Sequence, residues 1–323
     1  MAFSSLTVRF SNLSLNCEFQ MERSFTSDAL APDLIFKDLK GEIIDYIISS
    51  YQVNLGLIYS YYWHDNIQVH CQIAYNGTGD ETFVHIHEVE KPGIYHAKFI
   101  LITTTEVLKL MIMTTNITEN EVKNCLNDYY IITIPKRTMT SSTKNTMRMY
   151  EFLDSFDIKL KSSLMNYDWR GLNGHIMISI PNKMSHGICF RKIIKKPDLK
   201  TKRKATIRCS TMMTGYDIKK LFHVNTCELE YLDNYEHKTI LGIYDLEHNK
   251  EKDGKQRYVL KPFNEKKPFH YKRYMVEYTK EEDSRKYLII TSANLTRQAW
   301  GTSKYVAKNA EMGIIWNSKK QFN

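Results

Sequence analysis

Cysteine patterns for metal or redox chemistry are missing from this chain. Its six cysteines, Cys17, Cys71, Cys125, Cys189, Cys209 and Cys227, form no Cys-x-x-Cys pair. Neither a zinc site nor a disulfide framework is expected. Free thiols fit a reducing, intracellular compartment. No stretch approaches the roughly eighteen apolar residues of a membrane span, so no transmembrane helix and no membrane partner are expected. Met1 to Asn16 lacks the basic region and apolar run of a secretory signal. A glycine-rich nucleotide loop, a carboxylate pair and a Ser/His/Asp set are also missing. His85 and His87 sit two apart with no third ligand in view, so they read as a polar strand face and no metal site is assigned.

What is present suits a folded protein. The 323 residues are 42% hydrophobic and 12% aromatic. That length accommodates two domains of about 150 residues. The formal net charge is +9 and the pI about 9.0. Such an excess favours polyanions, chiefly nucleic acid, or marks a merely soluble basic protein. The run Arg191 to Lys204 is the densest basic stretch. It reads as a solvated loop, a nucleic-acid contact or a nuclear import signal.

Helices and strands alternate, which argues an α/β fold. Met1 to Asp33 has no periodicity and reads as a loosely packed arm. Phe36, Leu39, Ile43, Ile47 and Tyr51 recur at helical spacing and predict a helix. Val53 to Tyr62 and Ile67 to Tyr75 predict strands, as do Thr82 to Val89 and Asp128 to Ile134. Asn76-Gly77 with Gly79-Asp80 signals a turn. Met149, Leu153, Phe156, Leu160 and Leu164 predict a helix of about five turns. Strands are expected over His175 to Ile180 and Ala205 to Thr211, a short helix over Tyr216 to Phe222, and polar surface from Asp233 to Lys255. A final strand is read over Glu311 to Trp316.

One pattern occurs twice. His96-Ala97-Lys98 opens the apolar strand Phe99 to Ile102; a second strand, Leu108 to Met113, leads into Thr114-Thr115-Asn116. His270-Tyr271-Lys272 opens a second strand pair, whose apolar run Tyr287 to Ile290 leads into Thr291-Ser292-Ala293-Asn294. In a strand, residues two apart share a face. The repetition predicts two related halves, 1–166 and 167–323.

If the halves face each other, two histidines, two lysines and two asparagines converge. Lysines with amide donors form an anion cradle. Two histidines beside it suit phosphoryl transfer in two steps, one attacking phosphorus and the other protonating the leaving oxygen and then activating water. An unperturbed imidazole pKa near ~6.5 leaves both protonation states accessible. The lysines carry the positive charge, so no cofactor or metal is required.

The paired sets His96/Lys98/Asn116 and His270/Lys272/Asn294 resemble those of the tyrosyl-DNA phosphodiesterase type I family, a branch of the phospholipase D superfamily. Thr291 to Gly301 is similar to that branch's second motif, and Asn309-Ala310-Glu311-Met312-Gly313 to a segment downstream of it. The ordinary phospholipase D pattern has an Asp five residues after each Lys; here Thr103 and Glu277 stand there. The resemblance implies two phospholipase D-like domains, each a mixed sheet flanked by helices, about a pseudo-two-fold axis. It implies that His96 is the nucleophile and His270 the acid and then base, with Lys98, Lys272, Asn116 and Asn294 holding the phosphate. Glu311 would orient His96. The residue aligned with the family's Gln that supports the second histidine is Asn127, one methylene shorter. Ser210 and Thr211 fall near a DNA-phosphate contact.

The implied activity is DNA repair. The 3′-phosphotyrosyl bond left by a topoisomerase is hydrolysed through a phosphohistidine, giving a 3′-phosphate. A phenol of pKa about 10 leaves far more readily than a sugar alkoxide. The expected partners are single- or double-stranded DNA with blocked 3′ ends and the topoisomerase-derived peptide. The expected setting is nuclear, and a monomer suffices. A less selective nuclease or phosphodiesterase, or a DNA-binding protein with a decayed site, are the competing readings.

Overall fold

The computed structural model describes residues 19–20, 23–24 and 35–319, apart from 62–63, 65, 77–83, 89–92, 126, 139–141, 173, 195–201, 210–220, 223–225, 233–257, 264–269, 281–282 and 302–305. Among them are two mixed sheets of eight strands each. The first is built from β1 (Phe19–Gln20), β2 (Arg23–Ser24), β3 (Ile43–Asn54), β4 (Ile67–Tyr75), β5 (Val84–Glu88), β7 (Phe99–Thr104), β8 (Val107–Met113) and β9 (Asn127–Pro135). The second is built from β10 (His175–Ser179), β11 (Lys202–Cys209), β12 (Thr226–Leu232), β13 (Tyr258–Phe263), β14 (Lys272–Lys280), β15 (Asp283–Thr291) and β16 (Asn309–Lys319), with β6 (Ile94–Tyr95).

The two sheets share one topology. The path β9-β8-β7-β3-β4-β5 in the first matches β16-β15-β14-β11-β12-β13 in the second. In both, the first four strands pair antiparallel and the last two join in parallel. Each His-x-Lys therefore opens the same strand of its sheet, β7 or β14, and each Asn follows the same neighbour, β8 or β15. Among the described strands, β6 crosses from one half to the other. It comes from the first half but pairs in parallel with β16, Ile94 opposite Asn309 and Tyr95 opposite Ala310.

Burial explains the elements that sequence patterning misplaced. The helix expected through Ile43, Ile47 and Tyr51 is the strand β3. Its Ile47 packs into a cluster running through both sheets, while Ile48 packs into a second cluster on the opposite face. A strand covered on both faces loses its polar alternation, and a four-residue recurrence in it is coincidence. The strand expected from Val53 to Tyr62 stops at Asn54, whose Oδ1 accepts the Gly56 N–H at 2.9 Å, and α1 (Leu55–Tyr61) follows. Asn54 starts that helix as a side-chain cap.

The helix expected from Met149 to Leu164 is shorter. α3 (Lys144–Ser155) starts at a capping box of Thr143 and Thr146 and ends at Phe156. Asp157 then takes a positive φ of 54°. Leu164 is buried from a later 3-10 turn instead. Two further helices are α2 (Glu119–Asn124) and α4 (His186–Ile193), the latter not foreseen; it contains Arg191 and Lys192 of the basic run. Most of the N-terminal arm, the turn after Asn76, residues 195–201, Ser210, Thr211, the start of the Tyr216 helix and the Asp233–Lys255 surface lie outside the described residues.

Candidate active site

Two short strand connections carry the site. His96 and Lys98 precede β7, and the His96 backbone N–H donates to Ala310 O at 3.0 Å, continuing the β6–β16 pairing. That places His96 beside Glu311, which lies on β16. His96 Nδ1 is 3.0 Å from Glu311 Oε2. Glu311 is fully buried and also accepts from Ser292 Oγ at 2.5 Å and Asn309 Nδ2 at 3.1 Å. Burial alone would raise its carboxyl, but the charge of His96 and these hydrogen bonds hold it down at about 2. The His96 imidazole is shifted down by burial, with Glu311 opposing and Lys98 adding to the shift. An ionised carboxylate beside a neutral imidazole fixes the proton on Nδ1 and leaves the Nε2 lone pair free.

His270, before β14, mirrors this with a different partner. Its Nδ1 is 3.0 Å from Glu121 Oε2. Glu121 lies on α2 of the first half, so each histidine meets a carboxylate from the opposite half. Burial lowers His270 to about 4, Lys272 adding to the shift and Glu121 opposing it. Burial would raise the Glu121 carboxyl, but His270 and the Asn116 backbone hold it well below the usual range.

The lysines are fully buried. Lys98 Nζ donates to His96 O at 3.0 Å, and Lys272 Nζ to Thr114 O at 2.9 Å. Lys272 Nζ also lies 3.1 Å from His270 Nε2. Among the described residues neither lysine ion-pairs directly with a carboxylate. Burial, then the charge of Lys272, lowers Lys98 to about 7; burial lowers Lys272 as well. Two buried ammonium groups held only by neutral atoms are an electrostatic strain that an anion relieves. Asn116 is buried, and its Nδ2 donates to Glu121 Oε1 at 2.6 Å. Asn294 is half-buried, and its Oδ1 meets no donor among the described residues.

The structure thus brings together His96, Lys98, Asn116, His270, Lys272 and Glu311. Asn127 is corrected. It opens β9, the counterpart of β16, but its Nδ2 donates to Glu121 O at 2.8 Å and Cys125 O at 3.1 Å, not to His270. Its short side chain is spent on the end of α2, and Glu121 takes the histidine. Glu121 was not singled out from the sequence, because it lies outside both copies of the repeated motif; Thr118 caps its helix, accepting from Glu121 N at 3.2 Å. Ser210 and Thr211 lie outside the described residues. Thr103 and Glu277 are held elsewhere, Thr103 donating to Asp45 at 2.6 Å and Glu277 facing Lys286 at 3.5 Å. His85 and His87 line an open cleft with Asp45 and Lys161. No group of three or more metal-ligating side chains occurs among the described residues.

A duplicated mixed-sheet fold with two His-Lys-Asn sets defines a phospholipase D-like, two-lobed phosphodiesterase. The sequence profile of the tyrosyl-DNA phosphodiesterase family matches residues 21–223 and 205–323. The chain belongs to that family and is a DNA-repair phosphodiesterase, a hydrolase; the family acts on DNA carrying topoisomerase adducts. A crystal structure of yeast tyrosyl-DNA phosphodiesterase is similar at a TM-score of 0.72 and 16% identity, over 93% of this chain and 90% of that one. A polyphosphate kinase from Porphyromonas gingivalis shares the fold more loosely, with a TM-score of 0.53 and 10% identity over 92% of this chain and 44% of that one. No curated protein sequence matches the chain. No helix among the described residues is long and apolar enough to cross a membrane.

Proposed function

We propose that the chain clears 3′-phosphotyrosyl ends through a covalent phosphohistidine. The observation that carries the reading is the pair of buried lysines, without direct carboxylate partners among the described residues, beside two carboxylate-backed histidines. The phosphodiester supplies the missing negative charge. His96 Nε2 attacks phosphorus and forms the N–P bond as the P–O bond to tyrosine breaks; His270 gives its proton to the departing phenolate. His270 then takes a proton from water, whose oxygen attacks phosphorus and breaks the N–P bond. The products are free tyrosine and a 3′-phosphate. Lys98, Lys272, Asn116 and Asn294 hold the non-bridging oxygens as charge builds. The bound anion also raises the readiness of His270 to hold a proton, offsetting the two lysines.

The same reading takes single-stranded 3′ ends as substrate, exonuclease-like removal of other 3′ blocks, a nuclear setting, and one chain as the working unit. It places the boundary between halves near Asn166. The net charge of +9 supports DNA as the polyanion. The test is incubation in EDTA with a labelled single strand ending in 3′-phosphotyrosine. Conversion to a 3′-phosphate is expected from the wild type and not from His96→Ala. DNA binding without any conversion would sink the reading and favour a decayed site.

A further inference from the structure

Three close hydrogen-bond donors converge on Glu121, with a fourth, the Thr115 hydroxyl, farther off and turned chiefly to Asn116 O at 2.8 Å. Oε2 lies 3.0 Å from His270 Nδ1, 2.6 Å from the Asn116 backbone N and 3.4 Å from Thr115 Oγ1; Oε1 accepts Asn116 Nδ2 at 2.6 Å. A carboxylate has acceptor capacity for all four. A glutamine has one acceptor oxygen, and its NH₂ would confront the Asn116 NH₂ donor for donor. The helix that carries Glu121 is fixed at both ends, by Thr118 at its start and by Asn127 on the carbonyls of Glu121 and Cys125. The position is built for an anion, not for an amide.

Resting on the two-histidine reading above, we propose that Glu121 is the positioning residue for the acid–base histidine. Its carboxylate holds His270 in the Nδ1–H tautomer and locks Asn116 beside it as one unit. The site then runs with a carboxylate behind each histidine instead of a carboxylate and an amide. The charged groups that face His270 are Lys272, on its own strand connection, Lys98 from the first half, and Glu121 from α2. Two cations resist the imidazolium and one carboxylate supports it. Without Glu121 the two cations are what remains of these described neighbours, so His270 surrenders its proton at lower pH. The first chemical step needs that proton, so the alkaline limb of the pH profile must move to lower pH. The second step also suffers, because the carboxylate supports the imidazolium that forms as water is deprotonated, the role an aspartate plays behind a triad histidine.

The experiment compares wild type, Glu121→Gln and Glu121→Asp on two oligonucleotides, one ending in 3′-phosphotyrosine and one in a 3′-nitrophenyl phosphate whose leaving group needs no proton. For Glu121→Gln the expected result is an alkaline limb of kcat/KM displaced downward by about one pH unit, with tyrosine release falling at least about tenfold more than nitrophenol release. Glu121→Asp keeps the charge but withdraws it by one methylene, and moves the limb part of the way. An unmoved limb in both variants, or equal loss on both substrates, overturns the proposal and leaves Glu121 a purely structural residue. A titration of the His270 ring by NMR, assigned against His270→Ala, needs no turnover. If the wild type releases no tyrosine, the proposed function fails, while an equal His270 midpoint in wild type and Glu121→Gln separately overturns the role of Glu121.

Discussion

The two halves of the molecule solve one problem with different parts. In each, a histidine before an equivalent strand is backed by a carboxylate from the other half. The carboxylate for His96 comes from the sheet, on β16, where pairing with Ser179 of β10 and the side chains of Ser292 and Asn309 hold it. The carboxylate for His270 comes from the short helix α2, part-exposed and shared with Asn116. The equivalent of Glu311 in the first half is Asn127, and it has become a brace for that helix. Duplication preserved the placement of the histidines more strictly than the origin of their partners, because the chemistry needs a carboxylate at one atom and does not specify what carries it.

The comparison breaks hardest at the histidines. His96→Ala and His270→Ala should each cost about 10³-fold or more in turnover of the tyrosyl substrate. They should differ in kind. With the nitrophenyl ester, His270→Ala accumulates a covalent protein–oligonucleotide adduct, joined through the 3′-phosphate, that mass spectrometry detects, whereas His96→Ala gives none; equal labelling would erase the assigned roles. Glu311→Gln should follow, with a loss of about 10²-fold. It removes the carboxylate that favours the His96 imidazolium, so the nucleophile stays neutral to lower pH and the acid limb moves down. A pH profile in which Glu311→Gln and Glu121→Gln shift the same limb would contradict the division of labour.

Stability offers a milder comparison. Each half buries a histidine outside the chemistry, His70 in the first and His186 in the second. Burial lowers His70 to about 3, the neighbouring His87 adding to it, and lowers His186 to about 4. Both bind protons more readily when unfolded. Their contribution is therefore complete above about pH 6.5 and declines as the pH falls toward about 4, by at most about 1.4 kcal/mol per pH unit for each histidine. Urea midpoints measured from pH 8 to 4 should be level and then fall; a midpoint constant through the window would refute it. Smallest is Asn127→Ala. Losing two hydrogen bonds to the α2 end should cost about 1–2 kcal/mol by denaturant titration. Turnover should drop only a few-fold, since Asn127 reaches His270 through Glu121 alone.

Much of this was legible before the fold was known, and the exceptions have physical causes. The strands of the active-site connections stood out because Phe99 to Ile102 and Tyr287 to Ile290 are short apolar runs bounded by polar turns. The two His-x-Lys sets were legible because a repeat in spacing survives divergence of everything between. β3 was misread because a strand buried on both faces carries no alternation. The short reach of Asn127 was visible, but not the residue that replaces it, since Glu121 belongs to neither copy of the repeated motif. The pairing of β6 with β16 leaves no local signature, because it joins segments more than 200 residues apart in the chain.

That pairing sets when the enzyme can exist. His96 and Glu311 stand 215 residues apart in the chain, and the backbone ladder that aligns them is closed only by β16. Contacts of such separation form late, after the local pairings that shorten the intervening loop. A chain that stops short of β16 therefore carries His96 with no carboxylate behind it. The nucleophile of the first half is thus completed only when the last strand, some 215 residues later, docks beside it.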